Sequence, residues 1–377
     1  MEIAVDVRSL MEGRHSGVEE YTTQIIRSLV SAAPQHHFRL FYNAAKRITL
    51  PSFPETVSVH GFRYPNKLFN VAQLAARWPV WDNLVAADCY FVPNLRLLPL
   101  SSGAPLVTCV HDLSFERFPE FFSWRRRAWH YVMRPRELLA RSDRIIAVSE
   151  ATCADIVELY GIQLNKISVV YSGVRVPPAG ELTQPAQGDA RRKYGLPEKF
   201  VLHLATLEPR KNVDSVIRAW DAIADRVPHD LVIAGSRGWL PRTIDRAYER
   251  ARHQPRIHFP GFIAEADKMA LYAAADVFVY PSLYEGFGFP PLEALLAGTP
   301  VITSNNSSLP EVVGEWAALV NPYDVAELAL TMKEILRDRP PVLEADRQRL
   351  ARQYSWERAA RETLAIIESV AATRYHS

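Results

Sequence analysis

The sequence predicts an α/β protein made of two doubly wound parallel-sheet domains. Three observations lead to this prediction: the length of the chain, a repeated alternation of strand and helix patterns, and one break in that alternation. A chain of 377 residues is long enough for two domains of ordinary size. Its hydrophobic content of 48% and charged content of 23% are typical of globular proteins and argue against a disordered chain.

The first half of the chain alternates apolar β-branched segments with segments whose apolar residues recur at helical spacing. Strands that alternate with helices build a parallel sheet covered on both faces. The predicted strands are 2–7, 38–42, 89–92, 106–111, 144–148 and 167–171, and the predicted helices are 17–32, 124–141 and 149–160.

Residues 176–196 are predicted to be a linker, because glycine and proline recur through this segment. The alternation then resumes with strands 200–205, 229–234, 257–259, 276–280 and 300–303, and helices 213–227, 264–275, 290–297 and 324–336. We therefore expect one domain over 1–175 and another over 197–355. The carboxyl ends of the two sets of strands should face a central cleft, where ligands bind in such sheets.

The most informative segment runs from Ser282 to Val301. It separates Glu285 from Glu293 by seven residues and places a Gly-Phe-Gly turn between them. A strand precedes the segment, and a Pro-Pro pair that suits a first helical turn follows the glycines. This layout directs backbone N–H groups and the positive end of a helix toward one point, which suits a phosphate. Glu293, expected in the first helical turn, could accept hydrogen bonds from sugar hydroxyls. The alternative is an ordinary turn followed by a surface acid.

A second motif, Thr-Leu-Glu-Pro-Arg-Lys-Asn over 206–212, follows the first predicted strand of the second domain. Arg210 and Lys211 therefore stand at a strand end that faces the predicted cleft. Cations in this place can bind a diphosphate and offset the charge that develops on it as a leaving group. The alternative is an exposed loop that carries two solvated bases.

Two features of the first domain lie at or after the end of a predicted strand. His111 ends the strand over 106–111, and Asp112 after it could orient the imidazole ring. The alternative for His111 is a histidine satisfied by local hydrogen bonds. Gly17 opens the helix that follows the first strand, where a glycine lets the backbone approach a phosphate or an acceptor closely.

The segment over 285–301 resembles the E-x7-E signature of retaining glycosyltransferases of family four, which have the GT-B fold. The matching residues are Glu285, Gly286, Phe287, Gly288, Glu293, Ala294, Gly298, Pro300 and Val301. The segment over 206–212 is similar to a phosphate-binding motif of the same family. Ala205-Thr206 departs from the family pattern, which often has Gly-Arg there, and the loop before Gly17 is one glycine poorer than usual.

The resemblance implies a role for each matching residue. The catalytic group would be Glu285 and His111 at the donor sugar, with Lys211 and Arg210 on the diphosphate. The remaining donor-binding residues would be Glu293 at the ribose, Phe287 and Gly288 through their amides, and Gly286, Gly17 and Ser282. The resemblance also implies that a C-terminal helix over 356–377 could pack back on the first domain.

The implied function is a metal-independent, retaining hexosyltransferase. It would move mannose, or another hexose, from a GDP- or UDP-sugar to a saccharide or lipid-linked saccharide acceptor in cell-surface polysaccharide synthesis, including lipopolysaccharide. The nucleotide sugar is a substrate, and no cofactor is expected. Two alternatives stay open: a sugar-nucleotide epimerase of the same architecture, and a protein that binds sugar nucleotides without catalysis.

Several patterns narrow the class and the location of the protein. No G-x-G-x-x-G opens the chain, and neither a P-loop nor an Asp-x-Asp motif occurs, so the sequence argues against dehydrogenases, P-loop enzymes and metal-dependent sugar transferases. Three scattered cysteines and no metal-ligand spacing favour a reducing cytoplasm and no metal site. Nothing in the pattern indicates nucleic-acid binding.

The segment over 122–144 carries a concentrated positive charge. It holds seven Arg against Glu137 and Asp143, a net of +5 in a chain whose formal charge is +2. Aromatic residues lie among these Arg residues, from Phe122 onward, at helical spacing. One face of this helix could contact the anionic inner surface of the cytoplasmic membrane. The alternative is a helix whose aromatic residues pack on the domain and whose Arg residues are solvated.

Overall fold

The computed structural model describes residues 1–11, 17–44, 53–65, 69, 72–73, 78–238 and 242–374. The chain divides into two units, each built around its own parallel sheet. Unit 1 comprises Met1–Gly173 together with Tyr354–Ser377, and unit 2 comprises Val174–Gln353.

Unit 1 contains a seven-stranded sheet in the order β3-β2-β1-β4-β5-β6-β7, and neighbouring strands run parallel. The strands are β1 (Glu2–Asp6), β2 (His37–Asn43), β3 (Val57–Phe62), β4 (Cys89–Val92), β5 (Leu106–Val110), β6 (Arg144–Ala147) and β7 (Ile167–Val169). The central strands β4 and β5 are buried throughout, as expected for a sheet covered on both faces. The edge strand β3 was not predicted, because none of its residues is buried and it lacks a continuous apolar run.

The helices of unit 1 that precede β7 include α1 (Gly17–Ala32), α2 (Ser114–Arg117), α3 (Trp124–Met133), α4 (Pro135–Arg141) and α5 (Glu150–Tyr160). The prediction of one helix over 124–141 is wrong. The helix is interrupted at Arg134, which adopts a left-handed conformation with φ of 47°. Its successor, Pro135, disfavours the helical conformation for the residue before it, so a new helix begins there.

Unit 2 contains a six-stranded parallel sheet in the order β10-β9-β8-β11-β12-β13. Its strands are β8 (Phe200–Leu204), β9 (Asp230–Ala234), β10 (Ile257–Gly261), β11 (Val277–Tyr280), β12 (Val301–Ser304) and β13 (Ala318–Val320). The first strand lies inside the sheet, the next two continue on one side and the last three on the other. This is the doubly wound order, with its switch point between β8 and β11.

The helices of unit 2 are α6 (Gln184–Tyr194), α7 (Val213–Ile223), α8 (Arg242–Arg250), α9 (Glu265–Ala274), α10 (Phe289–Leu296), α11 (Leu309–Val313), α12 (Val325–Asp338) and α13 (Glu344–Gln353). The sequence did not predict α8 and α13, whose segments are rich in charged residues and short of apolar ones. The short strand β13 was also missed.

The segment over 176–196, predicted to be a linker, contains a helix, α6, that was not predicted. Pro185 lies in the first turn of α6, where a missing N–H costs nothing, and Gly195 ends the helix with φ of 61°. Both residues therefore delimit a helix rather than prevent one. The hydroxyl of Tyr194 donates to Asp267 at 2.7 Å, and Lys193 contacts the same carboxylate at 2.5 Å, so α6 is anchored to α9.

The last helix, α14 (Trp356–Arg374), belongs to unit 1 and packs against α1. Trp356 packs directly against the backbone of Gly173. A Cβ added to Gly173 would lie 2.4 Å from Trp356. Glu368 contacts the His36 imidazole at 2.7 Å. Within the described residues, no helix is both long enough and apolar enough to span a membrane.

Candidate active site

The two motifs of the second half follow β8 and β11, the strands on either side of the switch point. Residues 205–212 leave the end of β8, and residues 281–288 leave the end of β11. Connections from such a pair of strands diverge to opposite faces of the sheet and leave a crevice at its carboxyl edge. The motifs are also tied to one another, because the amide of Leu283 donates to the Arg210 carbonyl at 2.8 Å.

Glu285 is the centre of a buried hydrogen-bonded cluster. Its Oε1 lies 2.5 Å from Lys211 Nζ, and its Oε2 lies 3.0 Å from a terminal nitrogen of Arg210. Two hydroxyl groups also donate to Oε1: that of Ser282 at 2.6 Å and that of Tyr280 at 2.9 Å. The structure thus brings Lys211, Arg210 and Ser282 together around the carboxylate of Glu285, and all four are predicted site residues.

A second carboxylate completes the charge balance of this cluster. Glu208 is 3% exposed and accepts hydrogen bonds from Arg210 at 3.1 and 3.2 Å. Burial alone would raise the pKa of Glu285, but the charges of Arg210 and Lys211 outweigh it and hold the pKa at about 2. Burial and the neighbouring Arg210 lower the pKa of Lys211, while Glu285 and Glu208 oppose that shift. The cluster therefore holds two cations and two anions.

The backbone of the second motif is fixed from two directions. The Glu285 amide donates to Ser307 Oγ at 3.0 Å, and the Ser308 hydroxyl donates to the carbonyl groups of Glu285 and Phe287 at 3.0 Å. Gly288 has φ of 102°, a left-handed conformation that other residues rarely adopt. It stands immediately before α10, so the turn over 286–288 directs the chain into the N-terminus of that helix.

Ser282 is fully buried, and its hydroxyl is bound to Glu285 and to the backbone carbonyl of Arg210. The structure therefore assigns Ser282 to holding the Glu285 carboxylate, whereas the sequence predicted direct contact with the donor. Gly286, Phe287 and Gly288 form the segment of chain between Glu285 and the first residue of α10.

Glu293 lies in the second turn of α10, not in the first turn as predicted. The helix begins at Phe289, one residue earlier than expected, and this places Glu293 fifth in it. Both carboxylate oxygens have partners on α9: Lys268 donates to Oε1 at 2.7 Å, and the Tyr272 hydroxyl donates to Oε2 at 3.0 Å. The carboxylate is thus held at a fixed position beside a partly buried lysine.

In unit 1, His111 follows β5 directly, and its ring is oriented by a backbone carbonyl. Its Nε2 donates to the Pro93 carbonyl at 2.8 Å, and the ring of Tyr21 packs edge-on at 4.5 Å. Burial lowers the pKa of His111, so the imidazole is neutral near pH 7. The prediction that Asp112 orients this ring is wrong, because Asp112 instead accepts hydrogen bonds from the amide and hydroxyl of Ser114.

Gly17 is the exposed first residue of α1. The loop that precedes it, residues 12–16, lies outside the described residues. Among the residues that the structure does describe, no group of three or more His, Cys, Asp or Glu could hold a metal ion.

Four residues that the sequence did not single out complete the site: Glu208, Tyr280, Lys268 and Asn212. Asn212 adopts a left-handed conformation with φ of 56°, and its amide donates to the carbonyls of Pro281 and Pro322. It thereby links the loops that follow β8, β11 and β13. Glu208 and Asn212 lie in the same short motif as Arg210 and Lys211, so their place in the sequence could have indicated a role in the site. Lys268 is remote from both motifs, and no sequence pattern indicated it.

Comparison with known proteins relates both halves of the chain to one class of enzyme. Residues 187–355 match the family model described as Glycosyl transferases group 1. Residues 15–176 match the model described as Glycosyltransferase Family 4.

Two relatives and one solved structure extend this similarity over most of the chain. The O-antigen chain mannosyltransferase B of Escherichia coli is 29% identical over 368 residues, 93% of this chain and 95% of the relative. The MMP alpha-(1->4)-mannosyltransferase of Mycolicibacterium hassiacum is 30% identical over 316 residues, 79% of this chain and 73% of the relative. Anabaena HepE, solved with UDP and glucose, has a TM-score of 0.73 at 20% identity and covers 98% of this chain and 100% of its own, which shows a shared GT-B fold.

Proposed function

Because the chain belongs to glycosyltransferase family 4 and is a glycosyltransferase, we propose that it transfers mannose from a nucleoside diphosphate sugar. The donor is a GDP- or UDP-sugar, and the acceptor is a saccharide or lipid-linked saccharide of a cell-surface polysaccharide. The names of the two relatives, both mannosyltransferases, support mannose. The name of the first relative, an O-antigen chain enzyme, supports the polysaccharide acceptor. Family membership favours transfer over the epimerase and the non-catalytic binding protein.

The observation that carries this proposal is the position of Lys211 and Arg210 at the switch point of unit 2. Both cations are buried or nearly so, and both lie beside Glu285 at the carboxyl edge of the sheet. A diphosphate bound there is stabilised by two cations in a medium of low dielectric, where charge interactions are stronger than in water. The N-terminus of α10 and the amides near Phe287 and Gly288 add favourable dipoles.

In the proposed reaction, the bond between the anomeric carbon and the β-phosphate oxygen breaks, and its electron pair stays on the diphosphate. Lys211 and Arg210 stabilise the charge that develops there. The acceptor hydroxyl oxygen attacks the anomeric carbon from the face that the diphosphate vacates, so the configuration is retained. The acceptor proton passes to the departing phosphate oxygen, and no protein base is required.

The remaining residues bind and orient the donor. Glu285 accepts hydrogen bonds from hydroxyls of the transferred sugar, and Glu293 accepts them from the ribose. Gly286, between Glu285 and the helix, leaves room for the backbone to approach the donor. We also propose that His111 and Gly17 bind the donor or the acceptor.

Thermal unfolding with UDP, GDP, ADP and TDP sugars, without added metal, tests the proposal. A ligand that binds only the folded protein raises the midpoint of unfolding by an amount set by its concentration and dissociation constant. We expect a shift with either GDP or UDP sugars, and no shift with a Lys211→Met variant. Wild-type protein that responds to none of the four nucleotides would refute the assigned donor site.

We further propose that the protein is cytoplasmic and touches the inner face of the membrane through Phe122–Arg144. On α3, Trp124 is 73% exposed and Tyr131 is 85% exposed, in a segment with a net charge of +5. The same helix is attached to its unit through His130, whose ring stacks on Phe115 at 4.2 Å. Trp124 and Tyr131 thus face solvent, and His130 packs the helix against the rest of unit 1.

Sedimentation with phosphatidylglycerol vesicles tests this contact. A Trp124→Ala and Tyr131→Ala double variant should lose most vesicle binding. Leu164→Ala is the matched control, because Leu164 is 66% exposed elsewhere in unit 1. Equal sedimentation of all three proteins would refute the contact.

A further inference from the structure

The two cations assigned to the donor diphosphate already have carboxylate partners. Lys211 and Arg210 contribute two positive charges, and Glu285 and Glu208 contribute two negative charges. The side chains of all four are at most 16% exposed, so solvent screens the cluster weakly. The cluster is therefore neutral before any ligand binds.

A diphosphate that joined this cluster unchanged would leave it with about two uncompensated negative charges in a buried place, which is strongly unfavourable. This excess negative charge can be relieved if Glu285 takes up a proton or if its carboxylate moves away from the cations. Two cations and two hydroxyl donors stabilise the ionised form of this carboxylate, so protonation at neutral pH is the costly route. Movement of the carboxylate is the favoured one.

The local structure permits the side chain of Glu285 to move while its backbone stays in place. Its amide and carbonyl are fixed by Ser307 and Ser308. The groups left behind keep other partners, since the Ser282 hydroxyl also lies 3.0 Å from the Arg210 carbonyl and Lys211 also donates to the Tyr280 hydroxyl at 2.6 Å. Displacement of the Glu285 carboxylate would therefore leave the backbone hydrogen bonds of this residue intact.

We infer that the Glu285 carboxylate occupies, in the ligand-free protein, the place on Lys211 and Arg210 that the donor diphosphate takes. Donor binding then displaces Glu285 from the cations and makes its carboxylate available to the hydroxyls of the sugar. This inference rests on the proposed function, because it presupposes a diphosphate at this site. Glu285 therefore competes with the diphosphate for Lys211 and Arg210 before donor binding, and it binds the sugar hydroxyls afterwards.

Isothermal titration of GDP, UDP and inorganic pyrophosphate into wild-type protein and a Glu285→Gln variant tests the exchange. We expect Glu285→Gln to bind the preferred nucleotide about tenfold more tightly, which corresponds to about 1.4 kcal/mol, while its transfer rate falls. Glu208→Gln is the matched control. It removes the same charge from the same cluster but leaves Glu285 on both cations, so its affinity should change less than threefold.

Ser282→Ala provides a second variant that changes no charge. It removes the 2.6 Å hydrogen bond to Glu285, so it should tighten nucleotide binding by about threefold. Thermal unfolding without ligand identifies any variant that fails to fold. A double variant, Glu285→Gln with Lys211→Met, should lose the added affinity, and added affinity that persisted would place the ligand elsewhere and overturn the inference.

The possible outcomes separate this inference from the proposed function. If wild-type protein binds a nucleotide and Glu285→Gln binds it equally or more weakly, only the exchange is overturned. If Glu285→Gln and Glu208→Gln tighten binding equally, the effect is one of net charge, and the exchange is overturned as well. If neither wild-type protein nor any variant binds a diphosphate, both proposals fall.

Discussion

Replacing Tyr280 by Phe removes one hydroxyl from the cluster around Glu285 and leaves the ring. Tyr280 is 1% exposed at the end of β11, and its hydroxyl accepts from Lys211 at 2.6 Å and donates to Glu285 at 2.9 Å. No atom is added and no charge is changed, so the variant should fold. The substitution therefore tests whether the positions of the two charged groups matter to the reaction.

The size of the effect follows from the two hydrogen bonds that are lost. A hydrogen bond to a charged group contributes about 1.5–3 kcal/mol. Lys211 and Glu285 retain their direct contact at 2.5 Å, so the loss lies toward the lower end. Two bonds at this lower end give a fall of about 3 kcal/mol in the free energy of unfolding. A similar loss in the transition state would lower kcat by about a hundredfold, since about 1.4 kcal/mol is a factor of ten.

Tyr272→Phe is the matched control, because it removes a comparable buried hydroxyl from the other carboxylate. Tyr272 is fully buried and donates to Glu293 at 3.0 Å. Urea unfolding should show a loss of stability for both variants, larger for Tyr280→Phe, which loses two hydrogen bonds, than for Tyr272→Phe, which loses one. Steady-state transfer assays should separate their effects on the reaction. Tyr280→Phe should lower mainly kcat, and Tyr272→Phe should raise mainly the KM for the donor. Two variants with the same change in kcat and KM would refute the separate roles of Glu285 and Glu293.

Two further predictions concern backbone geometry and pH. Gly288→Ala should lower stability by about 1–2 kcal/mol and abolish nucleotide binding, because φ is 102° and a Cβ would lie 2.7 Å from Leu309; urea unfolding and calorimetry measure both. Hydrogen bonds to Asp221 and Asp225 raise the pKa of His253 in the folded protein. The contribution of His253 to stability is therefore complete at a pH below its pKa in the unfolded chain, and it is lost as the pH rises through its pKa in the folded protein. Unfolding midpoints at pH 6 and pH 9 should therefore differ less in His253→Asn than in the wild type, and an unchanged difference would contradict this.

The sequence predicted the architecture well where burial governs the pattern. Strands such as β4 and β5 are buried on both faces, so their residues form continuous apolar runs that need no tertiary information to recognise. The edge strand β3 and the charged helices α8 and α13 were missed because their composition carries little of that signal. The helix α6 was missed because glycine and proline recur through its segment and indicate a linker, although Pro185 and Gly195 are each suited to one end of a helix.

The candidate site was predictable only where its residues are close in sequence. Lys211 and Glu285 belong to two recognisable motifs, each after a strand, and the doubly wound order brings the ends of those strands together. Lys268 approaches Glu293 from a different helix, and no spacing in the sequence indicates that contact. The first turn of α10 was misplaced by one residue, since helix boundaries depend on cap geometry that local composition does not specify.

Pairing between Glu285 and the two cations explains how charged residues can stay buried at the carboxyl edge of the sheet before any donor arrives. Two buried cations without partners would carry a large desolvation cost, and the carboxylates of Glu285 and Glu208 offset it. If the inferred exchange holds, the affinity of this site for a diphosphate is lowered because Glu285 must be displaced from both cations. The same carboxylate would then contribute to catalysis only after the donor has replaced it, so a sugar without a diphosphate would meet a Glu285 that is still held by Lys211.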